Sequence, residues 1–135
     1  MTTADQDIQD LTARLGVAYH RQDWGICNAD ANRVGEFIRV CQTEKLTPPQ
    51  QYAMGELVLA SMNDALVEGA ADAELISEFE AFLKLRLHGL APQIRYWSSL
   101  TDAEEFPLSG LLGRQLVAEP GSLFEVHGSP SGPGR

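Results

Sequence analysis

Residues 47–69 read TPPQQYAMGELVLASMNDALVEG, and the spacing inside this stretch sets the fold class. The Thr47 hydroxyl can cap a helix, and Pro48 and Pro49 are tolerated in a first turn whose N–H groups have no intrahelical acceptor. Gly69 suits the left-handed residue that ends a helix. A helix from about Pro48 to Glu68 is therefore predicted. At ~100° per residue from Glu56, the side chains of Tyr52, Met54, Val58, Leu59, Met62, Ala65 and Leu66 fall in an arc from about 160° to about 320°. Glu56, Asp64 and Glu68 fall in the complementary arc, up to about 120°. The expectation is a helix with one face in the core and an acidic face toward solvent.

Upstream, Thr3 followed by Gln6 is a capping-box pattern, and Asp5 and Asp7 favour the positive end of a helix. Ile8, Leu11, Leu15 and then Ala18 or Tyr19 continue it as one buried stripe, with Gly16 leaving its end open. Gln22, Asp23, Trp24 and Gly25 read as a turn. Either Asn28 or Asp30 can then cap a helix whose Val34, Phe37, Ile38 and Cys41 form a core stripe, with Arg33, Glu36 and Arg39 on the solvated side.

Downstream, Asp72 can start a helix that turns Leu75, Ile76, Phe79, Phe82, Leu83 and Leu87 inward until Pro92 ends or redirects it. Residues 93–97 fit a short helix, a strand or an ordered loop. Thr101 with Glu104 repeats the capping-box pattern, and Leu108, Leu111, Leu112 and Leu116 have helical spacing. From Pro120 the composition shifts to Gly, Ser and Pro, which buries too little to order itself. The predicted organisation is a mainly all-α single domain over 1–118, a bundle of four to six helices, followed by a disordered tail over 119–135.

The chain of 135 residues and 14.8 kDa suffices for one core, so folding requires neither metal nor disulfide. Nineteen acids against ten bases, a formal charge of -9, oppose binding to nucleic acid or to anionic membranes. Cys27 and Cys41 form no CxxC and have no histidine at ligand spacing, so both read as reduced thiols, Cys41 on a buried stripe. His20, His88 and His127 have no His or Cys three or four residues away; His88 suits a helix C-terminus and His20 a surface hydrogen bond. The sequence lacks a GxSxG elbow, a phosphate-binding glycine loop and a selectable carboxylate pair. No catalytic residue, cofactor or metal is expected. The acidic N-terminus does not resemble a signal peptide and no run approaches a membrane span, which places the protein in the cytoplasm.

Two features point to a partner. No Lys or Arg lies between Lys45 and Lys84, a stretch that holds Glu56, Asp64, Glu68, Asp72, Glu74, Glu78 and Glu80. Such a surface repels itself, and a basic partner would relieve that and be steered to it. The competing reading is a solubilising face with cations arriving from elsewhere in the fold. The second feature is Arg95, Tyr96 and Trp97 together with Asp23, Trp24 and Gly25, since Trp, Tyr and Arg dominate binding hot spots. The competing reading puts both tryptophans in the core.

Residues 23–30 (DWGICNAD) through Arg33 to Phe37, and 96–100 (YWSSL) through 104–109 (EEFPLS), resemble small bacterial immunity proteins of polymorphic toxin systems, contact-dependent or type VI. The resemblance covers roughly residues 5–117 and carries no functional residue over. It implies a protein that binds and neutralises a cognate toxin or effector, here with Glu56, Asp64, Glu68, Asp72, Glu74 and Glu78 supplying charge and Trp24, Tyr96 and Trp97 supplying contact. An acidic effector chaperone or regulatory adaptor is the second reading, and a helical enzyme using a carboxylate or Cys27 the third.

Overall fold

The computed structural model of the chain describes residues 3–86, 89–100, 102 and 104–118, with side chains as far as residue 113. Among these residues there are seven helices and no strand: α1 (Ala4–Leu15), α2 (Trp24–Cys27), α3 (Val34–Thr43), α4 (Pro48–Glu68), α5 (Ala73–Arg86), α6 (Ala91–Ser98) and α7 (Pro107–Ala118). One core draws on all of them, through Leu11, Trp24, Phe37, Met62, Phe79, Ile94 and Leu108 among others. The tail expected over 119–135 lies outside the described residues.

The helix starts expected at Thr3 and Thr47 hold. Thr3 and Gln6 exchange backbone-to-side-chain bonds of 3.1 Å each way. Thr47 and Gln50 do the same at 3.0 and 3.4 Å, with Pro48 and Pro49 in the first turn. Gly16 and Gly69 end their helices at φ 69° and 75°, a region open to glycine without a Cβ penalty.

The two-sided reading of α4 does not survive. Gln50, Ala53, Met54, Gly55, the run 57–63 and Ala65 are all buried. Ala60 and Asn63 lie at about 40° and about 340°, inside or beside the arc assigned to solvent. The cause is packing on every side: α1, α2, α3 and α7 all rest on α4, and Leu90 and Gln93 reach it from the α6 segment at Gly55. A helix surrounded by other helices is apolar all round, so its periodicity carries little information about orientation. Tyr52, placed on the core arc, is instead half exposed.

The polar side chains of α4 bond to the backbone of its neighbours. Gln50 Nε2 donates to Asp7 O at 2.8 Å, holding α1. Glu56 Oε1 accepts the Gly25 N–H at 2.8 Å, and Ser61 Oγ accepts the Asp30 N–H at 3.0 Å. Asn63 Oδ1 accepts the Leu108 N–H at 3.1 Å while its Nδ2 donates to Glu105 O at 3.0 Å. The first turn of α7 is thus capped by a side chain 45 residues away. The capping box expected at Thr101 and Glu104 does not start this helix. Thr101 lies outside the described residues, and Asp102 accepts from Glu104 N and Glu105 N at 3.0 and 3.1 Å before α7 begins at Pro107.

Other boundaries shift for local reasons. The stretch expected as a turn contains α2, whose N-cap Asp23 has a positive φ of 56°. Neither Asn28 nor Asp30 caps α3. Asn28 clasps Ala18 through bonds of 3.2 and 2.8 Å, and Asp30 Oδ1 accepts from Asn32 N at 2.9 Å, leaving Arg33 at the cap position without a side-chain bond. Asp72 does cap α5, accepting from Leu75 N at 2.8 Å. Pro92 does not close that helix; it sits in the first turn of α6, which settles residues 93–97 as helical. Leu87 and His88 lie outside the described residues.

Gly25 marks the closest approach of two helices. A Cβ there would fall 2.6 Å from the Leu57 backbone N and 2.6 Å from Glu56 Cγ. At Gly55 the obstructing atoms are side-chain ends, Leu90 Cδ2 at 2.3 Å and Gln93 Oε1 at 2.7 Å. Backbone cannot yield as a leucine tip can. Gly25→Ala is therefore expected to destabilise more than Gly55→Ala, by about 1–3 kcal/mol or more against the wild type. Urea midpoints of the two variants check this, and equal losses would contradict the packing described.

Candidate functional site

Laying α2 across α4 at Gly25, with α6 alongside, brings together two segments some seventy residues apart in sequence. Asp23, Ile26, Tyr52, Glu56, Tyr96 and Trp97 line one cleft of about 300 Å³. An adjoining cleft of about 380 Å³ shares Asp23, Tyr52 and Glu56 and adds Asp5, Tyr19 and Arg21. The chain has three tyrosines, and all three stand on these clefts with exposures of 39% (Tyr19), 50% (Tyr52) and 57% (Tyr96). Ile26 beside them is 45% exposed.

The two tryptophans have a different place. Trp24 and Trp97 are both buried, so they form the floor beneath the exposed rings and have little surface to offer a partner. Trp24 Nε1 donates to Thr12 Oγ1 at 2.9 Å, and Thr12 in turn donates to Ile8 O at 2.6 Å. Trp97 stacks edge-on between Tyr96 and Phe106, with centroids 6.1 and 6.2 Å away. Gln93 Nε2 donates to Tyr52 O at 2.9 Å and ties α6 to α4 below the cleft. The Tyr19 hydroxyl donates to the Asp5 carboxylate, and that bond raises the phenol above its ordinary range.

The carboxylates expected to form one continuous surface are dispersed. Glu56 is half-buried and bonded to Gly25 N, and it belongs to the tyrosine clefts. Glu78 faces α3, where its Oε1 and the Arg39 guanidinium flank Gly35, 3.5 and 3.4 Å from the position of a Cβ. Asp64 is half-buried, and its carboxyl is raised first by burial and then by Glu68. Glu68, Asp72 and Glu74 remain exposed around the α4–α5 turn, Asp72 serving also as the α5 cap. Among the described residues, Glu68 and Glu74 have no cation within ion-pair distance.

Cys27 is exposed and Cys41 buried, with burial pushing the Cys41 thiol up to about 11, so it is protonated at neutral pH. No group of three or more His, Cys, Asp or Glu side chains that could hold a metal ion occurs among the described residues. None of the described helices is long and apolar enough to cross a membrane. His20 stands at the edge of the larger tyrosine cleft, whereas His88 and His127 lie outside the described residues.

Tyr52, Tyr19 and Ile26 escaped the sequence reading of the site. The angle of Tyr52 matches the core arc, and the opposing signal is that a phenol keeps its polar end wet. In comparisons with known proteins, the chain matches no family model, no curated protein and no solved structure.

A raised carboxyl pKa means the folded state binds the proton more tightly than the unfolded chain, so deprotonation costs stability. For Asp64 this cost appears as pH rises through the interval between the unfolded and the raised folded pKa, and it persists above it. Asp64→Asn is expected to raise the thermal midpoint at pH 7 and to leave it nearly unchanged at pH 3. Melting curves at the two pH values test this, and a loss of stability at pH 7 would contradict it.

Proposed function

We propose that this protein works by binding another protein through the face around Tyr52, and that the partner is a bacterial toxin or effector domain held inactive in the complex. The supporting observation is the convergence of Asp23 and Ile26 of the α2 segment with Tyr96 and Trp97 of α6 on one cleft beside Tyr52 and Glu56. Amphipathic aromatic rings offer large contact area at low cost in side-chain entropy, and clusters of them exposed together mark interaction surfaces. The resemblance of residues 23–37 and 96–109 to immunity proteins falls on the same segments and supplies the partner class. A cytoplasmic inhibitor without chemistry of its own fits an acidic chain whose clustered side chains suit contact.

In this reading the acids divide into two roles. Asp5, Asp23 and Glu56 meet basic groups of the partner within the clefts. Glu68, Asp72 and Glu74 act from a distance, raising the encounter rate with a basic toxin surface.

Mixing the purified chain with the toxin encoded beside its gene tests the proposal. A complex that abolishes toxicity is expected, and an active toxin with no complex would sink it. Tyr52→Ala and Tyr96→Ala are expected to weaken such a complex by about 2 kcal/mol or more each while leaving the fold intact, because both rings are exposed. Binding by both variants at wild-type affinity would move the contact face elsewhere.

A further inference from the structure

Tyr52 also borders a third cleft, whose lining does not include Glu56. The end of α3, the start of α4, the end of α5 and the approach to α6 enclose about 300 Å³ there. Leu46, Phe82, Leu85 and Leu90 supply most of its wall, with the protonated Cys41 thiol set among them. Among the described residues of that lining Arg86 is the one charged side chain, in a chain with nineteen acids and ten bases. The local charge thus opposes the global one.

The guanidinium is held in place. Its Nη2 donates to Cys41 O, one of the last carbonyls of α3, which have no intrahelical donor. Its other N–H groups have no acceptor among the described residues, and no carboxylate lies within ion-pair distance of it there. A fixed, half-buried guanidinium with free donors matches the planar fork of a carboxylate. Leu85 beside it is 74% exposed and adds apolar surface to the rim of the cleft.

We propose that this cleft binds a small apolar carboxylate, its alkyl or aryl tail against Leu46, Phe82 and Leu90 and its head on Arg86. The volume lies at the lower end of the ~300–1,000 Å³ range of ligand pockets, which favours a small molecule over a folded partner. Phosphate esters are disfavoured because one cation and apolar walls cannot replace their hydration. The site shares only Tyr52 with the protein-binding face, so either proposal can fail without the other.

Sodium octanoate, with 1-octanol as the uncharged probe of equal chain length, provides the test on the full chain. Methyl NMR resonances of Leu46, Leu85 and Leu90 are expected to shift saturably with octanoate and roughly tenfold more weakly with octanol. Arg86→Gln should remove that preference. Because Arg86 also holds the end of α3, Gln51→Glu is the deciding variant, read against Gln51→Leu: Gln51 is exposed and lines the cleft, both substitutions remove its Nε2 donation to Leu46 O, and only Glu adds a like charge. Relative to Gln51→Leu, Gln51→Glu should weaken octanoate roughly tenfold and leave octanol unchanged. An absence of saturable shifts, equal affinity for the two probes, or equal octanoate binding by the two Gln51 variants would each overturn the proposal.

Discussion

Everything in this fold depends on the enclosure of α4. A helix that is buried on all sides must let several neighbours approach its backbone, and small residues on it or facing it make that possible. Ala53, Gly55, Ala60, Ser61 and Ala65 are buried on α4, and Gly25 faces it from α2. Enclosure also removes water from the polar side chains of Gln50, Ser61 and Asn63 and from part of Glu56. An unpaired buried group costs about 1–3 kcal/mol, so Gln50, Glu56, Ser61 and Asn63 must all find partners. They find them in the backbone of α1, α2, the segment before α3 and α7 respectively. The central helix thereby serves as the capping and anchoring element for segments that lack adequate caps of their own.

This arrangement places the clefts around Tyr52. Glu56 can accept the Gly25 N–H only if α2 lies across α4, and in that position Asp23 and Ile26 come to stand beside Tyr52. The Gln93 bond to Tyr52 O draws α6 to the same region and leaves Tyr96 outward while Trp97 goes under. The positive φ of Asp23 belongs to the same constraint, since the chain must reverse immediately before a short helix whose second residue touches another backbone. The places of Tyr52 and Tyr96 therefore follow from how α2 and α6 are tied to α4, while Tyr19 is held by Asp5 of α1.

Much of this was legible in the sequence, and the division follows the range of the interactions. Thr3 with Gln6, Thr47 with its prolines, Asp72, Gly16 and Gly69 act within a few residues, and their helix ends fall where local chemistry puts them. The stripes of α3 and α5 were readable because each helix buries one side, with Phe37, Ile38, Phe79 and Phe82 inward. The start of α7 was not readable, because its cap is Asn63 on another helix. Asn28 and Asp30 do not cap for different reasons: the Asn28 side chain is engaged by Ala18, ten residues back, whereas the Asp30 carboxylate closes a local turn onto Asn32 N. The site was least legible, since the arc of Glu56 reads as solvent-facing, and α2 and the start of α7 in fact cover part of it.

The dispersal of the acids does not weaken the link between charge and binding, because the two act over different distances. Screening at physiological ionic strength extends about 8 Å, so carboxylates at the α4–α5 turn shape the potential met by an approaching cation without touching it in the complex. Contact energy decays within a van der Waals radius and has to be concentrated where rings can be covered. A protein that steers with one surface and grips with another has no need to place its acids and its tyrosines together. Around Tyr52 the pattern is further divided, with carboxylates on the α2 and α6 side and Arg86 on the α5 side. Tyr52 thus borders one cleft lined by Asp23 and Glu56 and another lined by Arg86, and under the two proposals a partner or ligand would be sorted by charge between them.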